Sequence, residues 1–160
     1  MKKKSLFSLL TLIVMLVVLA ACGSKVNKNG VPNILKDKYT GYSKLSGYEY
    51  PFIAGGDQLI FDKKENSITN SKGDKTYFSV IPEKDLPPAT KGVVTSLKSE
   101  LKDTENFTII ISREKYPTKK QAEATYQIAL SAGGKKIRVI ELRRDYAAEG
   151  GYYDFSGESE

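Results

Sequence analysis

One cysteine, no histidine and nineteen carboxylate side chains bound the chemistry open to this chain of 160 residues. Without histidine there is no Ser-His-Asp or Cys-His nucleophile, and no His-ligated metal. With one cysteine there is no thiolate metal cluster. Carboxylates remain. Asp57 and Asp62 flank one apolar stretch, and Glu141 and Asp145 close another. Paired carboxylates serve as acid and base or nucleophile in glycoside hydrolysis. Ser96 and Lys98 could form a dyad, but at i, i+2 on a helix they face apart. The DKKEN stretch at 62–66 lacks the Asx-Gly spacing of calcium loops. No phosphate-binding or dinucleotide fingerprint is present, and Gly55-Gly56, Gly133-Gly134 and Gly150-Gly151 fall at expected turns. These exclusions favour a protein that binds rather than catalyses, with no cofactor and no metal. A small carboxylate-based hydrolase is the alternative.

The cysteine, Cys22, closes a leader. Lys2, Lys3 and Lys4 form a positive start, and Leu6 to Leu19 are apolar apart from Ser8 and Thr11. This is the anatomy of a secretory signal. The apolar run is shorter than the roughly 20 residues a membrane-spanning helix needs. Leu19-Ala20-Ala21-Cys22 resembles the lipobox of bacterial lipoproteins. The resemblance implies a diacylglyceryl thioether on Cys22 and cleavage between Ala21 and Cys22. Two acyl chains, at about 0.8 kcal/mol per buried CH₂, anchor stably where one holds only marginally. A mature chain with no second cysteine forms no internal disulfide, which fits a Gram-positive surface. The implied address is the outer face of the cell membrane.

The formal charge of +6 includes the three leader lysines; without residues 1–21, 22 basic residues face 19 acidic ones. That balance is too mild to point to nucleic acid. After Arg144 there are five acids and no bases, so a basic body carries an acidic tail. The expected partners are the membrane, through Cys22, and an envelope protein or wall polymer. Ten tyrosines and no tryptophan mark the composition. Tyr39, Tyr42, Tyr48 and Tyr50, interleaved with lysines, form the candidate binding surface, because a phenol offers an apolar body and a polar tip.

The elements that must position these residues read as follows. Residues 1–21 are a signal peptide, and 22–34 are the lipidated cysteine and a tether of about 20 Å average reach. Residues 35–156 form one α+β domain, and 157–160 are a disordered acidic tail. Residues 38–45 predict a first strand. QLIFD, SITN and KTYFSVI, separated by turns carrying Asn66 and Gly73, predict a small antiparallel β-meander. Val93, Val94, Leu97 and Leu101 then predict a helix opening near Thr90. FTIIIS at 107–112 predicts a central strand. Thr118 and Gln121 match a capping box, so 118–132 predicts a second helix ended by Gly133-Gly134. Residues 135–144 alternate and predict another strand, and Tyr152 to Phe155 a last short one. The whole reads as a meander followed by helix–strand–helix–strand, with a right-handed β-α-β unit over 107–142. That unit faintly resembles half of a SPOR domain, a peptidoglycan-binding fold, through FTIIISREKYPTKKQAEATYQIALSAGGKKIRVI. The resemblance implies a wall-glycan-binding module.

Overall fold

The computed structural model describes residues 25–143 and 151–160. Eight strands run in chain order, each antiparallel to the next: β1 (Lys38–Ser43), β2 (Gly55–Asp62), β3 (Ser67–Thr69), β4 (Lys75–Ile81), β5 (Glu105–Ser112), β6 (Ala124–Ser131), β7 (Lys136–Glu141) and β8 (Asp154–Glu158). β8 pairs back onto β1, so the sheet closes into an up-and-down barrel. One α-helix, α1 (Pro88–Leu97), lies in the β4–β5 connection.

Alternation along each strand builds the interior. Tyr39, Leu59, Phe61, Ile68, Phe78, Ile109, Ile111, Tyr126, Ile128, Leu130, Val139 and Phe155 are all at most 2% exposed. Their registers place them on one face: Tyr39 opposite Leu59, Phe61 opposite Ile68, Phe78 opposite Ile111, Ile128 opposite Val139, and Val139 opposite Phe155. An eight-stranded barrel is just wide enough for side chains to fill.

The outer wall carries an apolar patch over β4–β7. There α1 and the turn after it lay Val94, Leu97 and Leu101 on Ile110, Ala129 and Ile140. This explains why β5 is apolar on both faces. The helical stripe read from the sequence is the one buried.

The α+β expectation is overturned. Residues 58–81 do run as a meander, but as part of a closed all-antiparallel barrel. The second helix is absent: Thr118 and Gln121 open only a single turn of 3₁₀-helix, Lys119–Gln121. The next residues form β6, which pairs β5 on one side and β7 on the other. Two waiting strand edges outweigh the local helix start, and Tyr126, Ile128 and Leu130 satisfy the period of two. Gly133 and Gly134 (φ 65° and 83°) make a hairpin turn rather than a helix stop. The β-α-β unit, and with it the SPOR likeness, gives way to an antiparallel β5–β6–β7 run. The acidic end is also ordered: Gly157 is buried and pairs with both Gly41 and Ile137, because β8 is the strand that closes the barrel.

The two ends of the barrel differ. One carries the β2–β3 and β6–β7 turns and is plugged by residues 25–37. Val31, within the stretch read as tether, is fully buried there, and Leu35 is 1% exposed. The Tyr39 hydroxyl donates to Gly134 O at 2.7 Å and accepts from Lys36 N at 2.9 Å, locking the plug to the wall. The opposite end, the mouth, carries the β1–β2 loop, the β3–β4 turn, the β5–β6 connection and residues 151–153 leading into β8.

Candidate functional site at the barrel mouth

The β1–β2 loop folds over the mouth and drops Phe52 into it. Phe52 is 2% exposed and packs on Tyr126 (centroids 4.3 Å apart) and Tyr153 (5.1 Å). The two tyrosine rings stand nearly perpendicular to each other, at 84°. The loop is held by Gly47 N donating to Phe52 O (2.9 Å) and by Asn70 Nδ2 donating to Pro51 O (3.0 Å). Gly47 is required: a Cβ there would lie 2.6 Å from the Tyr126 hydroxyl and 2.8 Å from Phe52 Cβ.

Beneath this loop two carboxylates face inward. Asp57, 5% exposed, accepts at Oδ1 from Gln58 N (2.8 Å), Ser71 N (3.1 Å) and Ser71 Oγ (2.6 Å). Its Oδ2 has no partner, and neither have the hydroxyls of Tyr126 and Tyr153, both fully buried. The Tyr126 hydroxyl faces the Glu49 backbone without reaching hydrogen-bonding geometry. Glu141, 2% exposed, accepts from Tyr48 N and Tyr153 N, each at 3.3 Å, and lies 3.9 Å from Arg143 Nε. Burial, and then the negative charge of Glu141, push the Tyr126 phenol well above its ordinary range. Burial followed by the charge of Asp57 raises Tyr153. Both hydroxyls therefore stay protonated in a negative environment. Buried polar atoms almost always find partners. The three buried side-chain atoms without a hydrogen-bond partner among the described residues all belong to residues at this end of the barrel.

The residues singled out from the sequence scatter over the fold. Tyr39 is core at the closed end, Tyr42 (58% exposed) lies on the outer wall, and Tyr48 and Tyr50 (69% and 64%) stand on the mouth loop. Only the last two neighbour the site. Asp57 is brought to the mouth, whereas Asp62 is exposed at the opposite end of the same strand, where Lys64 N and Glu65 N donate to it. Glu141 joins Asp57 at the mouth, although the sequence pairs it with Asp145. Asp145 lies outside the described residues, as do Leu19, Ala20, Ala21 and Cys22. Ser96 and Lys98 are exposed and separately engaged, with Val93 O and with Glu83. Sequence reasoning passed over Tyr126, Tyr153 and Phe52; the alternation Tyr126-Ile128-Leu130 was the signal that an inward tyrosine stood at a strand end.

A hollow of about 350 Å³ lies between α1 and β4–β6. Its polar groups satisfy one another: Thr108 Oγ1 donates to Gln127 (2.6 Å), Gln127 Nε2 to Asn106 (2.8 Å), and Lys98 to Glu83 (3.3 Å). It lacks the unmet demand of the mouth. Among the described residues no group of three or more Asp, Glu, Cys or His could hold a metal, and no helix is long and apolar enough to cross a membrane.

Neither a family model, nor a curated protein, nor a solved structure matches this chain.

Proposed function

We propose that this is a lipid-anchored lipoprotein of the outer face of the cell membrane, and that its barrel binds a small ligand at the mouth without transforming it. The observation that carries the binding role is the mouth beneath Phe52: it holds three buried polar atoms without hydrogen-bond partners, covered by a loop rather than by a strand. A loop plug can move while the hydrogen-bonded barrel stays intact, which is what a gated binding site needs. The anchor rests on Leu19-Ala20-Ala21-Cys22 after the apolar leader. Exposed Tyr48 and Tyr50 on the plug loop offer a contact surface to an envelope partner or wall polymer.

The test is expression of the full chain in a Gram-positive host with a tagged fatty acid, beside Cys22→Ser, followed by intact and native mass measurement. Label on the wild type alone, a mature mass beginning at Cys22 and a non-covalent small molecule retained by the native protein are expected. No label, or a mass retaining residues 1–21, would overturn the anchor. A native mass equal to the bare polypeptide at every ligand concentration tried would overturn the binding role.

A further inference from the structure

We infer that the mouth binds a primary ammonium group, with Asp57 as its counter-ion and the Tyr153 hydroxyl as a second acceptor. The inference rests on the reading of the mouth as a binding site and names the ligand's chemistry.

The first argument is charge. A carboxylate taken out of water and left unpaired is expensive, and buried charges are as a rule paired. The mouth buries two. Glu141 has two backbone N–H donors and Arg143 nearby. Asp57 has its three donors all on Oδ1, and no lysine or arginine among the described residues pairs with it. A ligand cation supplies what is missing.

The second argument is donor count. A primary ammonium carries three N–H donors and no acceptor. Asp57 Oδ2 and Tyr153 Oη have no hydrogen-bond partner among the described residues, and the Asp57 charge acts on the Tyr153 hydroxyl, whereas the Tyr126 hydroxyl faces the Glu49 backbone. A carboxylate or phosphate ligand would meet repulsion from Asp57 and Glu141. An uncharged alcohol would satisfy at most part of the set.

The third argument is the walls. Tyr126 and Tyr153 meet edge to face, and an ammonium over aromatic faces gains cation–π attraction. Phe52 occupies the space between them and shows its size. Its ring is the body a ligand would replace, so the apolar part is small, a short alkyl or one ring. Because Phe52 stands on the loop, its departure breaks the Asn70–Pro51 and Gly47–Phe52 contacts but no strand pairing.

The competing explanation is a buried water bridging the same atoms. Calorimetric titration with n-butylammonium chloride, beside n-butanol and tetramethylammonium chloride at matched ionic strength, separates them. Saturable binding of n-butylammonium, weaker binding of tetramethylammonium and none of n-butanol are expected. Phe52→Ala, which opens the chamber, tightens binding. Asp57→Asn, which keeps the Oδ1 acceptor and therefore the Ser71 contacts, weakens it at least about thirtyfold, as truncating one partner of a buried charge pair does. Tyr153→Phe provides a second variant that keeps the ring and loses only an acceptor, and it too weakens binding. If Phe52→Ala binds n-butanol as well as n-butylammonium, and Asp57→Asn changes neither, the mouth is a binding site but not for ammonium. If neither wild type nor Phe52→Ala binds any of the three, a water-filled layer is the answer and the mouth is not a site at all. Either result overturns the inference.

Discussion

Gly41 on β1 sits directly opposite Gly157 on β8, and the ring of Phe155 lies across both on the inner face of the barrel. A Cβ on Gly41 would fall 2.1 Å from Ser156 O, 2.5 Å from Gly157 Cα and 2.7 Å from Phe155 Cζ. The seam that closes the barrel thus depends on two strands approaching without side chains between them. Gly41→Ala is expected to destabilise the protein by about 3 kcal/mol or more, since backbone cannot yield as a side chain can. Denaturant unfolding measures the loss, and hydrogen exchange should show β8 opening first.

At the closed end, Tyr39→Phe keeps the packing but removes both hydrogen bonds of the hydroxyl. It strands the Gly134 carbonyl and the Lys36 N–H. The expected cost is about 1–3 kcal/mol, the range for leaving buried polar groups unmet. A loss below the error of a chemical melt would mean that the two hydrogen bonds of this hydroxyl do not hold the plug to the wall.

Alkaline pH should unfold the protein cooperatively. Burial holds the phenols of Tyr39, Tyr126 and Tyr153 above the ordinary value of 10.0 in the fold. Above pH 10 the unfolded chain has released these protons while the folded chain keeps them. The unfolded state then binds fewer protons, so stability falls as pH rises. Below pH 10 the contribution is fully present. Each such phenol contributes a slope of about 1.4 kcal/mol per pH unit. Phenolate absorbance and far-ultraviolet circular dichroism recorded on one sample should show a step where ionisation and unfolding coincide. Tyr126→Phe should make that step shallower.

On the outer wall Arg138 grips Asp154 with two hydrogen bonds, Nε to Oδ1 at 2.7 Å and an Nη to Oδ2 at 2.6 Å, and reaches Glu100 at 3.0 Å. The fork ties β7 to β8 and to the segment after α1. Arg138→Lys keeps the charge and loses the paired geometry, at an expected cost of about 1 kcal/mol. Because the groups are partly solvated, the gap between the two proteins should narrow with added salt.

Leu97→Ala removes the side chain that seats α1 on the apolar outer face of β5–β7. The expected loss is about 2–5 kcal/mol. Binding of a hydrophobic dye should rise, since the wall under α1 is apolar.

What could be read beforehand divides along physical lines. The meander, β5 and the buried stripe of α1 were legible because each pattern is local: apolar residues at a period of two or of 3.6, bounded by Asn66, Gly73 and the prolines. β6 was misread because its cues conflict. The Thr118–Gln121 start is real, but the next residues fit either period, and only the open edges of β5 and β7 decide between them. Barrel closure was illegible for a related reason, since the pairing of β8 with β1 joins residues more than a hundred positions apart. The acidic composition of the tail also masked Gly157 as a strand residue. At the mouth, Asp57 and Glu141 stand out in the sequence as chemistry: Asp57 is paired there with Asp62, which the fold puts at the opposite end of β2, and Glu141 with Asp145, which lies outside the described residues. Tyr126 and Tyr153 do not stand out, because whether a strand tyrosine points in or out is a matter of register.

The plug formed by residues 25–37 has a directional consequence. The chain enters the barrel at the end opposite the mouth, with Lys63 Nζ gripping Leu35 O at 2.8 Å beside the β2–β3 turn. A lipid on Cys22 would hold that end toward the bilayer and aim the Phe52 loop away from it. Strands of six to eight residues, tilted as barrel strands are, would raise the loop about 15–20 Å above the plugged end. Traffic through the mouth would then come from the wall and the medium, and an amphiphile dissolved in the leaflet would meet only the stoppered base.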